Sequence, residues 1–359
     1  MKARVYEITI TAAFFLLMAG SVWAGPAGEI KKVYHRSYPA TDNTLLMIDN
    51  KFGDINFISG NRDSILIEAV VTIEYPASYS KGKELIRYIT VSFDRSGRKI
   101  EAVTTIDNSF INKWYPRNEK KRFRIDYTVH APATIDLTVV NKYGDLFINE
   151  LAGRADLTIK YGYLKINQLL RSNQKPLNHL YLAYSKGTVE KAGWLMLELK
   201  YSRLEIGEGQ AFAGESKYSE LRIERVSSLV MESKYDNYRL GTLNNLVLVA
   251  SYGTIRVGEV RKKLSLESRY TDVEVDHIPP GFSSIDIDNA YGNVRIRIDE
   301  KASYYLEGNT SYCKINHPEA RINKIVKNGS YEVKGLIGTD PNTRSRVKIY
   351  SKYHAVTLY

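Results

Sequence analysis

The stretch NKYGDLFINEL at 141–151 is answered about a hundred residues later by ASYGTIRVGEV at 250–260. Both carry a Tyr, a Gly, apolar residues in alternation, and a further apolar residue. An aromatic of this kind recurs at Phe52, Tyr143, Tyr161, Tyr184, Tyr201, Tyr218, Tyr235, Tyr252, Tyr270, Tyr291, Tyr312 and Tyr353. From Tyr184 to Tyr252 each step is 17 residues; after Tyr312 it lengthens to 41, which implies a missed unit or an inserted loop.

The flanks carry the fold. Ahead of Tyr201 stand Leu195, Leu197 and Leu199, the alternation of a strand. Behind the aromatics stand Leu204 and Ile206, Leu221 and Ile223, Ile255 and Val257, so the apolar parity has switched. Successive strand residues face opposite ways, and keeping both sets inside demands a bend between them. Gly53, Gly144, Gly162, Gly253 and Gly292 follow the aromatic directly, which places the bend on glycine. A third apolar mark lies eight beyond the aromatic, at Leu151, Leu169, Val226, Leu243, Val260 and Ile278. One such unit cannot bury its own apolar side, whereas stacked units can. The pattern predicts an all-β, single-stranded β-solenoid (β-helix) with coils of about 17 residues over 141–359, a rod on the order of 50 Å long. An outer-membrane barrel fits less well, because its strands need about 9–11 residues with an uncharged lipid face.

Residues 25–140 read differently, as an N-terminal strand-rich capping region holding a first repeat unit, LLMIDNKFGDINF at 45–57. SILIEAVVTIEY and YITVSF alternate as strands, SYSKGKELIRY reads as one short helix, and 106–122 reads as an exposed loop. A cap would cover backbone groups that an open solenoid end exposes. Residues 1–24 have the form of a signal peptide: Lys2 and Arg4, an apolar run from Ile8 to Gly20, and Val22-Trp23-Ala24 before the expected cleavage point. The run is shorter than a bilayer span requires, so no integral membrane segment is expected after cleavage. The chain is then exported, to the periplasm, the outer membrane or the exterior. Cys313, the only cysteine, cannot form an internal disulfide and is expected to be a small buried residue. Net charge is +11, which suits anionic glycans or membrane surfaces rather than a nucleic acid outside the cytoplasm.

The phrase NKFGDI at 50–55, the strand–helix–strand insertion, DYTVHAPATIDLTVVNKYGD at 126–145 and the run of Tyr-Gly units together resemble the putative-adhesin β-solenoid proteins of the bacterial envelope, common in Bacteroidetes. The resemblance covers most of the chain beyond residue 24. It implies a fold and a surface role, and brings no catalytic motif to carry over.

No chemistry is gathered at one point of the sequence. The six histidines, His35, His130, His179, His277, His317 and His354, show no metal-ligand spacing, and no phosphate loop or nucleophile elbow appears. No catalytic residue, cofactor or metal site is assigned. Two columns remain. The tyrosines Tyr143, Tyr161, Tyr184, Tyr201, Tyr218, Tyr235, Tyr252, Tyr270, Tyr291 and Tyr312 read as a structural ladder, pointing inward or lying along a corner; exposed rings for stacking on sugars are the alternative. On the packing reading, Tyr218→Asp buries a charge. Lys142, Lys160, Lys200, Lys217, Lys234 and Arg269 form a possible charged binding strip beside Glu198, Glu215, Glu232 and Glu267. The competing view is a solvated face whose columns neutralise each other. Asp286 and Asp288 suggest calcium, but alternate with Ile285 and Ile287 as outward strand residues do. The expected function is non-catalytic binding of a repetitive partner, a polysaccharide or an envelope protein. A structural or envelope-stress scaffold is the second reading and a polysaccharide-acting enzyme the third.

Overall fold

The computed structural model describes residues 22–24, 28–41, 43–75, 82–110, 122–318, 321–327 and 329–359. Most of the expected signal peptide 1–24, and most of the expected loop 106–122, lie outside them. The described residues are all-β apart from a 3₁₀ turn at Gly82–Tyr88 and helical residues at 108–110, and the described strands join one hydrogen-bonded sheet.

Its central part consists of parallel ladders. Leu204 pairs with Leu221 and Leu221 with Tyr238, each 17 residues on, along the strands Arg203–Lys217, Glu220–Lys234 and Asn237–Ser251. The register slips by one residue between Leu243 and Asn245. Within the layer opened by Tyr235, the buried residues are Asp236, Tyr238, Leu240, Leu243, Leu246, Leu248 and Ala250. Their spacing is two, except for two consecutive steps of three around Leu243, so the chain bends there as well as at the aromatic. The parity switch in the sequence is the trace of these bends. Between layers, buried apolar residues stack on their equivalents in one continuous core from Ile30 to Leu358.

The bend at the aromatic is made differently from the glycine expectation. Every aromatic from Phe52 to Tyr353 itself adopts a positive φ, between 51° and 69°, whereas Gly53, Gly144, Gly162, Gly253 and Gly292 do not. For a non-glycine residue this left-handed conformation costs roughly 1–2 kcal/mol. Backbone pairing continues through it: the Tyr143 N–H donates to the Lys160 carbonyl and the Tyr201 N–H to the Lys217 carbonyl. The glycine that follows is required for space. A Cβ on Gly144 would lie 1.9 Å from the Gly53 carbonyl oxygen of the layer before, and one on Gly292 2.0 Å from that of Thr271.

Two corner chemistries recur along the stack. At NKFG, NKYG and NAYG, a buried Asn two residues before the aromatic reaches the closely approaching carbonyls: Asn50 and Asn141 donate to Gly53, and Asn289 donates to Gly292. Where Ser replaces Gly, its hydroxyl donates to the carbonyl two residues back and accepts an N–H from the preceding layer. Thus Ser202 Oγ donates to Lys200 O and receives Ser185 N–H, and Ser219 Oγ donates to Lys217 O and receives Ser202 N–H. Both devices satisfy backbone groups that the bend would otherwise strand.

The two ends of the stack are not in chain order. Strand Arg346–Lys352 pairs in parallel with Ser284–Ala290 on one side and with Tyr304–Ser311 on the other. Tyr353 therefore sits between Tyr291 and Tyr312. The 41-residue step is an excursion through an antiparallel hairpin, Arg321–Lys327 and Ser330–Ile337, laid against Tyr304–Ser311. At the other end, Leu45–Lys51 and Ile55–Ser59 lie between later strands, and Ser64–Glu74 and Glu29–Pro39 add antiparallel layers outside Arg122–Ala131.

Candidate functional site: a corner of tyrosines beside a column of lysines

The corner places the ring of each aromatic on that of the next. From Tyr143 to Tyr291 the centroids are 4.7–5.0 Å apart and the planes within 13° of parallel. The stack continues through Tyr353 to Tyr312 at one end and to Phe52 at the other, where Phe123 lies against it with its plane tilted by 56°. These rings do not point into the core. Tyr143, Tyr161, Tyr184, Tyr201, Tyr218, Tyr235, Tyr252, Tyr270 and Tyr291 are 40–53% exposed and Tyr312, the terminal ring, 71%. Ring faces are covered by ring faces, so edges and hydroxyls meet solvent, and stacking of a sugar on a ring face is open only at Tyr312. Because Tyr218 is 49% exposed, the charge in Tyr218→Asp reaches water, contrary to the buried-charge expectation.

The corner has a measurable balance. Tyr218→Val forfeits two stacked contacts of about 0.5–1.5 kcal/mol each and leaves a β-branched residue at positive φ, for an expected loss of about 2–4 kcal/mol. Tyr218→Gly loses the same contacts but relieves roughly 1–2 kcal/mol of backbone strain, and should be much milder. Denaturant unfolding of the two variants checks the order.

Immediately before the aromatics, Lys142 pairs in register with Lys51 and Lys160, Lys217 with Lys200 and Lys234, and Arg269 with Ser251. Two residues earlier, Glu215 pairs with both Glu198 and Glu232. Like charges are therefore stacked along each column, an arrangement that destabilises a sheet. The expected mutual neutralisation is not seen: among the described residues none of Lys142, Lys160, Lys200, Lys217 or Lys234 has a salt bridge, whereas Arg269 meets Asp288 at 3.1 Å and Glu267 at 3.8 Å. Acid and base two residues apart on a strand do meet elsewhere in the sheet, as Lys99 meets Glu101 and Arg154 meets Asp156, but these lysines do not reach their glutamates. Lys160 and Lys200 instead lie over the Tyr181 ring, 5.2 and 5.1 Å from its centroid, and the Lys234 ammonium lies 5.7 Å from the centroid of Tyr235, whose faces are taken by Tyr218 and Tyr252.

Other expected residues fall elsewhere. Cys313 is half-buried rather than buried, in the position after Tyr312, with its Sγ 3.6 Å from the Ser351 carbonyl oxygen. Asp286 accepts from Ser284 Oγ, and Asp288 pairs with Arg269. Two histidine bridges were not anticipated. His179 lies 3.1 Å from Asp156 and 3.3 Å from Glu198, and His277 3.2 Å from Glu259 and 3.5 Å from Asp299, so each links neighbouring layers. Only the register, which sets Asp156 opposite His179, could have found them.

The class these features define is an all-β repeat protein with an extended, regularly spaced surface. No protein-family model and no curated protein matches the chain. Solved structures similar to it include a putative adhesin from Parabacteroides distasonis, 9% identical, with 91% of this chain and 97% of that one covered and a TM-score of 0.40. A putative adhesin from Bacteroides fragilis is 12% identical over 91% and 97% of the two chains, with a TM-score of 0.30. A putative lipid binding protein from Parabacteroides distasonis is 9% identical over 91% and 96%, with a TM-score of 0.31. The adhesin name attached to the sequence resemblance is borne by the first two of these structures, and the third is named for lipid binding. No helix among the described residues is long and apolar enough to cross a membrane.

Proposed function

We propose that this chain is a non-catalytic protein of the cell envelope or surface, exported by its first 24 residues, that holds a repetitive partner along the face beside the tyrosine corner. On this reading residues 141–359 wind as a single-stranded β-solenoid of about 17-residue coils behind a strand-rich cap formed by 25–140. The observation that carries it is the in-register stacking of Lys200, Lys217 and Lys234 without salt bridges. Like charges opposite one another cost stability, and a partner of opposite charge and matching period offsets that cost. Many equivalent weak contacts give avidity, whereas catalysis needs unlike groups converging at one place.

The triple charge reversal Lys200→Glu, Lys217→Glu, Lys234→Glu should weaken retention on acidic polysaccharides or on whole cells by about tenfold or more, since each factor of ten is only 1.4 kcal/mol. Co-sedimentation at low and high salt measures it. Retention unaffected by the reversal, or release of cleaved saccharide by the wild-type protein, would overturn the reading.

A further inference from the structure

We infer that the partner of this face is a second copy of the same chain, lying parallel to the first about a two-fold axis that runs along the stack between the glutamate and lysine columns. The inference rests on the reading above and names its partner. Its ground is a strict segregation of charge. Three residues before the aromatic the charged residues are all acidic: Asp49, Glu198, Glu215, Glu232, Glu267 and Asp288. One residue before it they are all basic: Lys51, Lys142, Lys160, Lys200, Lys217, Lys234, Arg269 and Lys352.

A two-fold axis along the stack reverses the order of columns across the face while keeping the layers level. Placed between the two columns, it sets each acidic column against the partner's basic column and each basic column against the partner's acidic one. An axis running along the strands instead sets acid on acid and base on base, so the charge pattern selects the parallel arrangement. The spacing fits by construction, because the partner presents the same layer repeat of about 4.8 Å. The next outward column contributes apolar surface. Met196 and Val230 are 39% and 48% exposed, flank the small Ala213 in register, and fall opposite the partner's tyrosine corner. Unpaired lysines and stacked like charges, each a cost in the isolated chain, become complementary in the pair.

Three variants test this, each first checked for unaltered circular dichroism and melting. One has Lys200, Lys217 and Lys234 changed to Glu, the second has Glu198, Glu215 and Glu232 changed to Lys, and the third carries both sets. Sedimentation of the wild type should show salt-sensitive self-association at concentrations up to about 100 µM. Each triple variant alone should associate at least about tenfold more weakly, because both its columns then carry one sign. An equimolar mixture of the two triples should associate again as a heterodimer, and the sixfold variant should self-associate like the wild type. A monomeric wild type, or a mixture no more associated than its components, overturns the inference. If acidic polysaccharide is still retained and the lysine reversal still abolishes that retention, the broader binding function stands without it.

Discussion

Replacing Asp236 with Ala is expected to lower the unfolding free energy by about 3–5 kcal/mol, because it strands donors around a buried carboxylate. Asp236 is 1% exposed, and among the described residues it is the only buried one of a charged type. It takes the Ser219 N–H at 2.6 Å on one oxygen, and Ser216 Oγ, Ser233 Oγ and the Lys234 N–H at 2.6–2.9 Å on the other. Ser216 Oγ also meets the hydroxyl of buried Tyr238. The serines of the corner ladder each accept one N–H from the layer before, and Asp236 closes that ladder at its last serine. Removing the carboxylate takes away the acceptor of the Ser219 and Lys234 N–H groups and of two serine hydroxyls at once.

The same residue sets a pH dependence. Burial pushes the Asp236 carboxyl above its ordinary value, although its four hydrogen bonds pull the other way. The folded state thus holds the proton to a higher pH than the unfolded chain does. The contribution is fully present below the unfolded aspartate value and declines as pH rises through the raised folded value. The difference between wild type and Asp236→Ala should therefore be larger near pH 4 than near pH 7. Equal differences in chemical denaturation at the two pH values would count against this account.

Gly144→Ser should also cost several kcal/mol, about 3–5, even though Ser occupies the equivalent place at 185, 202 and 219. The new Cβ would be 1.9 Å from the Gly53 carbonyl oxygen, a backbone atom that cannot swing aside. Asn141 fills the space behind it, donating to that same carbonyl and to Asp145. In the serine layers the residue two before the aromatic is Leu182, Leu199 or Ser216, and no side-chain amide holds the corner closed. The reverse change, Ser202→Gly, removes one hydroxyl bridge and should cost only about 1 kcal/mol. Comparable losses for the two substitutions would refute the distinction between the corners.

The 17-residue step, the parity switch and the inward leucines were legible because each repeats the same solution to the same burial problem. The ring stack was legible as a column but not in its orientation: an aromatic shares parity with Leu197 and Leu199 whether it turns inward or swings out through a left-handed φ. Nothing in the letters Tyr-Gly says which of the two residues bends. Asn50, Asn141 and Asn289 did carry a signal, standing two before the aromatic only where Gly follows it and a tight carbonyl needs a donor. Neutralisation of Glu198 by Lys200 was misjudged because the partners lie in the neighbouring layer: Lys200 reaches over Tyr181 and Glu198 meets His179. The position of Tyr353 could not be read at all, since every layer offers the same ladder edge and periodicity is silent on spatial order.

That return of 346–358 to a slot beneath an earlier segment bears on how the molecule is made. Residues 304–316 emerge first, yet they find their parallel partners only when 346–358 arrive to lie between them and the layer of Tyr291. A chain interrupted anywhere in between would present a gap one strand wide, with ladder groups of both neighbours bare and adhesive. Until 346–358 are in place, those two edges can pair with any strand that reaches them, so closing this last slot is what takes the end of the sheet out of competition for foreign strands.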